Sequence, residues 1–151
     1  MVADGRLLET CGWALGGVPS QGIRIKGSLM NQLREYITAW QRHDVAADLA
    51  TLTEDCVITE CYGPVYRGKQ RVEQWMRTWL DAGSVDSWEI TTHAAAGNIL
   101  IAEWLFSCTW QSKPGSFQGA SVARLTGERI SYLREYATTA PLYDWTGTWR
   151  E

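Results

Sequence analysis

Few of the residues that build metal centres, disulfide frameworks or nucleic-acid faces are present in this chain. It has two histidines and four cysteines (Cys11, Cys56, Cys61 and Cys108), with no CxxC among them, so metal-ligand spacing is missing. Cys56 and Cys61 lie five apart in a strand-like run, which turns their side chains to opposite faces and argues against a bridge. Buried free thiols are expected instead. Lys and Arg number 14 against 17 Asp and Glu, a net charge of −3, and the two signs are interspersed. That pattern excludes the basic stripe of a nucleic-acid binder. No apolar run approaches the ~20 residues that span a bilayer. The opening Met1–Leu8 also lacks the basic-then-apolar layout of a secretory signal. Cytoplasmic placement is therefore the expectation, with no membrane or nucleic-acid partner, no metal and no cofactor.

Tryptophan is what the chain has in excess, nine in 151 residues. Two readings stand side by side: a tryptophan-rich core with a subunit interface, or an aromatic pocket for a flat or lipophilic ligand. A chain of this length supports one core, hence one domain.

Residues 1–28 are glycine-rich and weakly patterned, an N-terminal extension expected to be partly disordered or to contribute one short edge segment such as Gly22–Lys26. From Leu29 the texture changes. Leu29, Leu33, Tyr36, Ile37 and Trp40 recur at helical spacing with Ser28 as N-cap, and a second short helix from about Val45 to Leu52 follows Asp44, its own cap. Cys56–Tyr62 alternates as a strand, and a third helix covers about Lys69–Asp81, ended by Ala82-Gly83. Four strands follow, roughly 87–95, 99–111, 117–125 and 130–138. Their turns are expected at Gly97-Asn98, Lys113-Pro114-Gly115 and Thr126-Gly127-Glu128. Helices first and then an antiparallel meander predict an α+β domain over residues 29–151.

The run Ile99–Gln111 is apolar on both faces. One face carries Leu100, Ala102, Trp104, Phe106, Cys108 and Trp110, and the other Ile99, Ile101 and Leu105. A strand buried on one side alternates more cleanly, so the second face is expected to be covered, most simply by a second copy in a homodimer. The N-terminal extension is the alternative cover.

Tyr36 stands on the apolar side of its helix and Glu60 follows it by 24 positions. Between them run Arg42-His43-Asp44 and Glu54-Asp55. Period-2 parity groups Glu60 with Ile58 and Tyr62 on one face, where poor solvation would raise the carboxyl pKa toward the range useful for proton transfer. This stretch resembles the opening of the cone domains of the nuclear transport factor 2-like superfamily. That group includes ketosteroid isomerase, SnoaL-like polyketide cyclases, scytalone dehydratase and limonene epoxide hydrolase. The resemblance covers about Leu29–Thr138 and implies a cone-shaped α+β barrel, a curved antiparallel sheet wrapped around helices with an internal pocket. It also implies Tyr36 as oxyanion donor and Glu60 as proton-moving base.

Two further positions follow from the same resemblance. Ser121, in Ser121-Val-Ala-Arg-Leu125, falls where the isomerase carries a protonated aspartic acid, so the second donor is weaker here. Glu135, in Tyr132-Leu-Arg-Glu-Tyr136, falls where limonene epoxide hydrolase places an acid. The arginine and aspartate of that hydrolase fall on about Trp104 and Phe106, so its full triad is absent. Trp40, Tyr62, Trp75, Trp79, Trp104 and Phe106 are expected to line the cavity. His43 and His93 read as structural, and Arg124 and Arg134 as surface or interface residues. The aromatic tail Pro141–Trp149 is expected to fold over the cavity mouth or across the dimer seam.

These residues suggest a cofactor-independent enzyme performing isomerisation, cyclisation or water addition on a small lipophilic carbonyl or epoxide compound. A non-catalytic module for small-ligand binding or dimerisation is the alternative. An open cavity that gathers the acids separates the two from a core plugged by its own tryptophans.

Overall fold

The computed structural model describes residues 29–149. The expected edge segment Gly22–Lys26, the Ser28 cap and Cys11 lie outside the described residues. Helix α1 (Leu29–Gln41) buries Met30, Leu33, Tyr36, Ile37 and Trp40 on one stripe, the i, i+3, i+4, i+7 spacing of a core-facing helix. It stops at His43, whose φ of 56° is the left-handed conformation that ends a helix. Asp44 then caps α2 (Val45–Ala50) by accepting from the Ala47 N–H at 2.9 Å, which satisfies an amide the helix leaves free.

Strand β1 (Leu52–Thr59) and the three-residue β2 (Val65–Arg67) form a hairpin, and α3 (Lys69–Ala82) follows. The remaining chain is a meander of β3 (Gly83–Ala96), β4 (Ile99–Trp110), β5 (Lys113–Thr126) and β6 (Arg129–Ala137). The strand order is β2-β1-β6-β5-β4-β3. All pairings are antiparallel except β1 with β6, so the sheet is mixed. The last strand of the meander returns beside the first strand of the domain.

Register shifts interrupt β3 against β4 between Val85 and Ser87 and again between Ile90 and Thr92, and β5 against β6 between Arg124 and Leu125. Extra residues of this kind bend a strand and increase its twist, which curls the sheet toward α1. The core between them contains Leu33, Ile58, Met76, Leu100, Leu125 and Leu133.

Several expected boundaries move: β1 runs Leu52–Thr59 and not Cys56–Tyr62, β3 begins at Gly83, and β2 was not expected. The β4–β5 turn falls on Gln111-Ser112, both at positive φ (49° and 63°), the two-residue hairpin geometry that matches strand twist. Pro114 is tolerated inside β5 because that half of the strand pairs with β4 alone; pairing with β6 begins only at Gly119. Gly83 ends α3 in an extended conformation (φ −162°) and not as a left-handed cap, so helix passes directly into strand.

Of the two positions expected for the tail, over the cavity mouth or across a dimer seam, the first does not occur. Thr138–Leu142 lie beside Ser87, Leu105, Ser107 and Gln118 at the outer side of the sheet. No residue of the tail borders the central cavity, so it does not close the mouth. Trp145 and Trp149 contact each other at 5.8 Å between ring centroids and are largely exposed.

Candidate active site

Parallel pairing of β1 with β6 sets Ile58 beside Leu133 and Thr59 beside Arg134. One more step along both strands brings Glu60 alongside Glu135. Across the other edge of β6, Glu135 pairs with Ser121, which pairs in turn with Ala102. A polar row therefore crosses the inner face of an otherwise apolar sheet.

Glu60 and Glu135 both border a cavity of about 540 Å³. Glu60 is half-buried and accepts a hydrogen bond from the Tyr66 hydroxyl at 3.1 Å. Burial raises its pKa, and the Tyr66 bond works against that rise by favouring the anion. Glu135 is buried, and its Oε1 has no partner among the described residues. Burial first, and then the nearby charges of Glu60 and Asp48, push its pKa up to about 8. Burial thus raises both adjacent carboxyls, with Glu135 pushed to about 8 and Glu60 raised against a Tyr66 hydrogen bond that favours its anion.

The cavity wall includes all six aromatics expected from sequence: Trp40, Tyr62, Trp75, Trp79, Trp104 and Phe106. Trp88, Trp110, Phe117 and Tyr66 complete it, with Cys61 and Cys108 between them. Trp88 and Trp110 continue the period-2 inward sets of β3 and β4, a signal the sequence carried. Tyr66 lies on a strand of three residues, too short to show a period. Gly119 makes room for Trp104: a Cβ there would run into that indole and into the Tyr136 carbonyl. The Trp104 N–H is anchored on Ser121 Oγ at 2.8 Å.

Tyr36 and Ser121 are placed differently from their expected roles. Tyr36 is fully buried between Trp40 and Trp88 and does not border the cavity. Its hydroxyl has no partner among the described residues. Burial and the charges of Asp48 and Glu135 hold its pKa well above the ordinary value. Ser121 is also fully buried, its oxygen occupied by Trp104. The two expected donors stand behind the wall, and Tyr66 is the hydroxyl in front of it.

Asp48 is the residue that sequence reading missed. It lies on the inner side of α2, fully buried, with neither carboxyl oxygen partnered among the described residues. Burial lifts its pKa to about 8. Unpartnered buried polar groups cost about 1–3 kcal/mol each, so this part of the core is held by its surroundings against its own preference. His43 and His93 are exposed and outside the cavity. Cys56 is buried and, like Cys61 and Cys108, unbridged.

Among the described residues, no group of three His, Cys, Asp or Glu could hold a metal ion, and no helix is long and apolar enough to cross a membrane.

A family model described as a SnoaL-like domain matches residues 33–133. No curated protein matches the chain. Among solved structures it is similar to a protein of ketosteroid isomerase-like fold from Catenulispora acidiphila in complex with trimethylamine, at 18% identity over 72% of this chain and 85% of the other, TM-score 0.66. An LEH-like epoxide hydrolase from M. tuberculosis gives 19% identity, 74% and 83% coverage and TM-score 0.68. An NTF2-like protein of unknown function from Burkholderia pseudomallei gives 17%, 74% and 92%, and 0.64. At such identities the structural likeness is one of fold. The matched segment runs from Leu33 on the inner stripe of α1 to Leu133 on β6, two residues short of Glu135, and on that match the chain belongs to the SnoaL-like domain family.

Proposed function

We propose that this protein is a cofactor-independent acid/base enzyme acting on a small lipophilic compound with a carbonyl or epoxide oxygen. The observation that carries the reading is the Glu60–Glu135 pair at one end of an aromatic cavity. Glu60, kept anionic by Tyr66, is the base. Glu135, holding its proton up to about pH 8, is the acid. With a ketone, Glu60 takes the proton from the carbon next to the carbonyl while Glu135 gives its proton to the carbonyl oxygen, producing an enol. Where a carbon–carbon double bond lies β,γ to the carbonyl, that enol is a dienol, and return of its hydroxyl proton to Glu135 with delivery of the Glu60 proton to the γ-carbon completes an isomerisation to the conjugated ketone. With an epoxide, Glu60 takes a proton from water as that water attacks the ring carbon, and Glu135 protonates the leaving oxygen.

Tyr66 is the better-placed hydroxyl donor, because its oxygen touches Glu60 and its ring stacks on Trp75 at 4.2 Å and 11°. Tyr36 and Ser121 then act from behind, as supports for the wall and for Glu135.

Incubation with a panel of lipophilic ketones, enones and epoxides in D₂O or H₂¹⁸O, read by mass spectrometry, tests the proposal without knowledge of the natural substrate. Isotope should enter at least one panel member, and Glu60→Gln should abolish most of that incorporation. If no compound exchanges but several bind, the binding-module reading replaces it.

The outer sheet face supports a homodimer. Ile99, Ile101 and Leu105 are 37%, 46% and 41% exposed in the single chain. A stable pair through this face would bury more than ~1,000 Å² in total.

A further inference from the structure

Among the described residues the cavity carries two acids and no base. Ten of the fifteen described residues around it are aromatic, six of them tryptophan, and none is Lys, Arg or His. Such a wall gives an anionic ligand nothing to pair with. A neutral lipophile needs apolar area, which aliphatic side chains supply as well as indoles do. A cation, by contrast, gains from both features, because indole faces attract positive charge through the ring quadrupole and an unpaired carboxyl gains its missing counter-charge.

The rings also meet as panels. Trp40 and Trp79 cross at 80°, Trp88 and Trp104 at 79°, and Trp88 and Phe106 at 86°, the angles of a box, while Tyr66 alone lies flat on Trp75.

We propose that the site takes a lipophilic molecule bearing a positively charged nitrogen, a quaternary ammonium or a protonated tertiary amine. The nitrogen is held among the tryptophans against the Glu60–Glu135 pair. This rests on the cavity being the ligand site, as proposed above, and names the class of compound that enters it.

The groups that face Glu135 are all acidic: Glu60 and Cys61 beyond β1, Tyr66 on β2, Tyr36 on α1 and Asp48 on α2. No basic group offsets them. A cation arriving there favours ionised Glu135, so binding near neutral pH releases a proton, and affinity rises as pH passes through about 8.

The test compares phenyltrimethylammonium with its uncharged carbon isostere, tert-butylbenzene, on the full chain at physiological salt. Tryptophan fluorescence gives affinity, and calorimetry in buffers of different ionisation enthalpy gives the protons released. The cation should bind at least about 10-fold tighter at pH 8.5. The margin should shrink at pH 6 and in Glu135→Gln and Glu60→Gln. If tert-butylbenzene binds equally or tighter, the amine assignment is overturned while the apolar-ligand reading stands. If neither ligand saturates, both fall. A cation preference that is unchanged in both carboxyl variants overturns the placement of the nitrogen.

Discussion

The two faces of the sheet invert the usual distribution of polarity. The inner face buries Glu135, Ser121 and, from α2 behind it, Asp48; the outer face leaves Ile99, Ile101, Leu105 and Tyr136 in solvent. Ordinary folding would exchange them, because unpaired carboxyls lose hydration in the interior and exposed aliphatics gain nothing outside. The inner face suits the ligand proposed above, and the outer face suits the proposed second copy of the chain. The outer face also carries cations over rings, Arg124 over Tyr132 at 5.4 Å and Arg134 over Tyr136 at 4.9 Å. These two arginines thus lie across the sheet from Glu135 and Ser121.

The largest effect should come from the inner face. Once a turned-over compound is known, Glu60→Gln should reduce turnover by roughly 100-fold, the usual consequence of losing a positioned base. A Glu60→Gln variant with full rate would transfer the role of base to Glu135 and break the assignment made here. On the outer face, Leu105→Glu should convert a dimer to single chains in sedimentation equilibrium. A wild-type protein already monomeric at micromolar concentration would leave the exposed aliphatics without their partner and remove half of the comparison.

Asp48 sharpens the contrast, because it is an inner-face acid that does not border the cavity. Its folded pKa of about 8 lies above the ordinary 3.8, so between those values the folded state binds more protons than the unfolded one. Stability from this group is therefore fully present below about pH 4 and is lost as pH rises toward 8. Glu135 adds to the same slope. Asp48→Leu, close to it in shape, should flatten the slope. Urea unfolding should then show about 1–3 kcal/mol of added stability at pH 8 and little at pH 4. Loss of stability at pH 8 would mean that Asp48 has a partner in solution.

The smallest effect belongs to Tyr36. Its hydroxyl is unpartnered among the described residues and walled off from the cavity, so Tyr36→Phe should alter stability by within about 1 kcal/mol and turnover only a few-fold. A loss comparable to that of Glu60→Gln would restore Tyr36 as the principal donor and show that the wall opens.

Much of this was legible in the chain because period carries orientation. The alternation in Ile99–Trp110 named the inner and outer residues of β4 correctly, since a strand offers each side chain only two directions. The same parity turned Glu60 and Glu135 inward. Period does not carry depth, and there the reading failed. Tyr36 sits on the expected stripe of α1, yet Trp40 and Trp88 close over it. Asp48 lies between Ala47 and Leu49 in a six-residue helix, which reads as a solvated position until α2 packs against α1, α3 and β1.

Sequence alone therefore determined the order of the elements, the class of the fold and the faces of its strands, because these depend on local spacing and chain chirality. Only the tertiary structure decided which polar groups share an environment. The proximity of Glu60 and Glu135 comes from a parallel pairing between strands 70 residues apart in their numbering. The burial that separates their proton affinities comes from side chains on both faces of that pairing, and neither effect has a local signal.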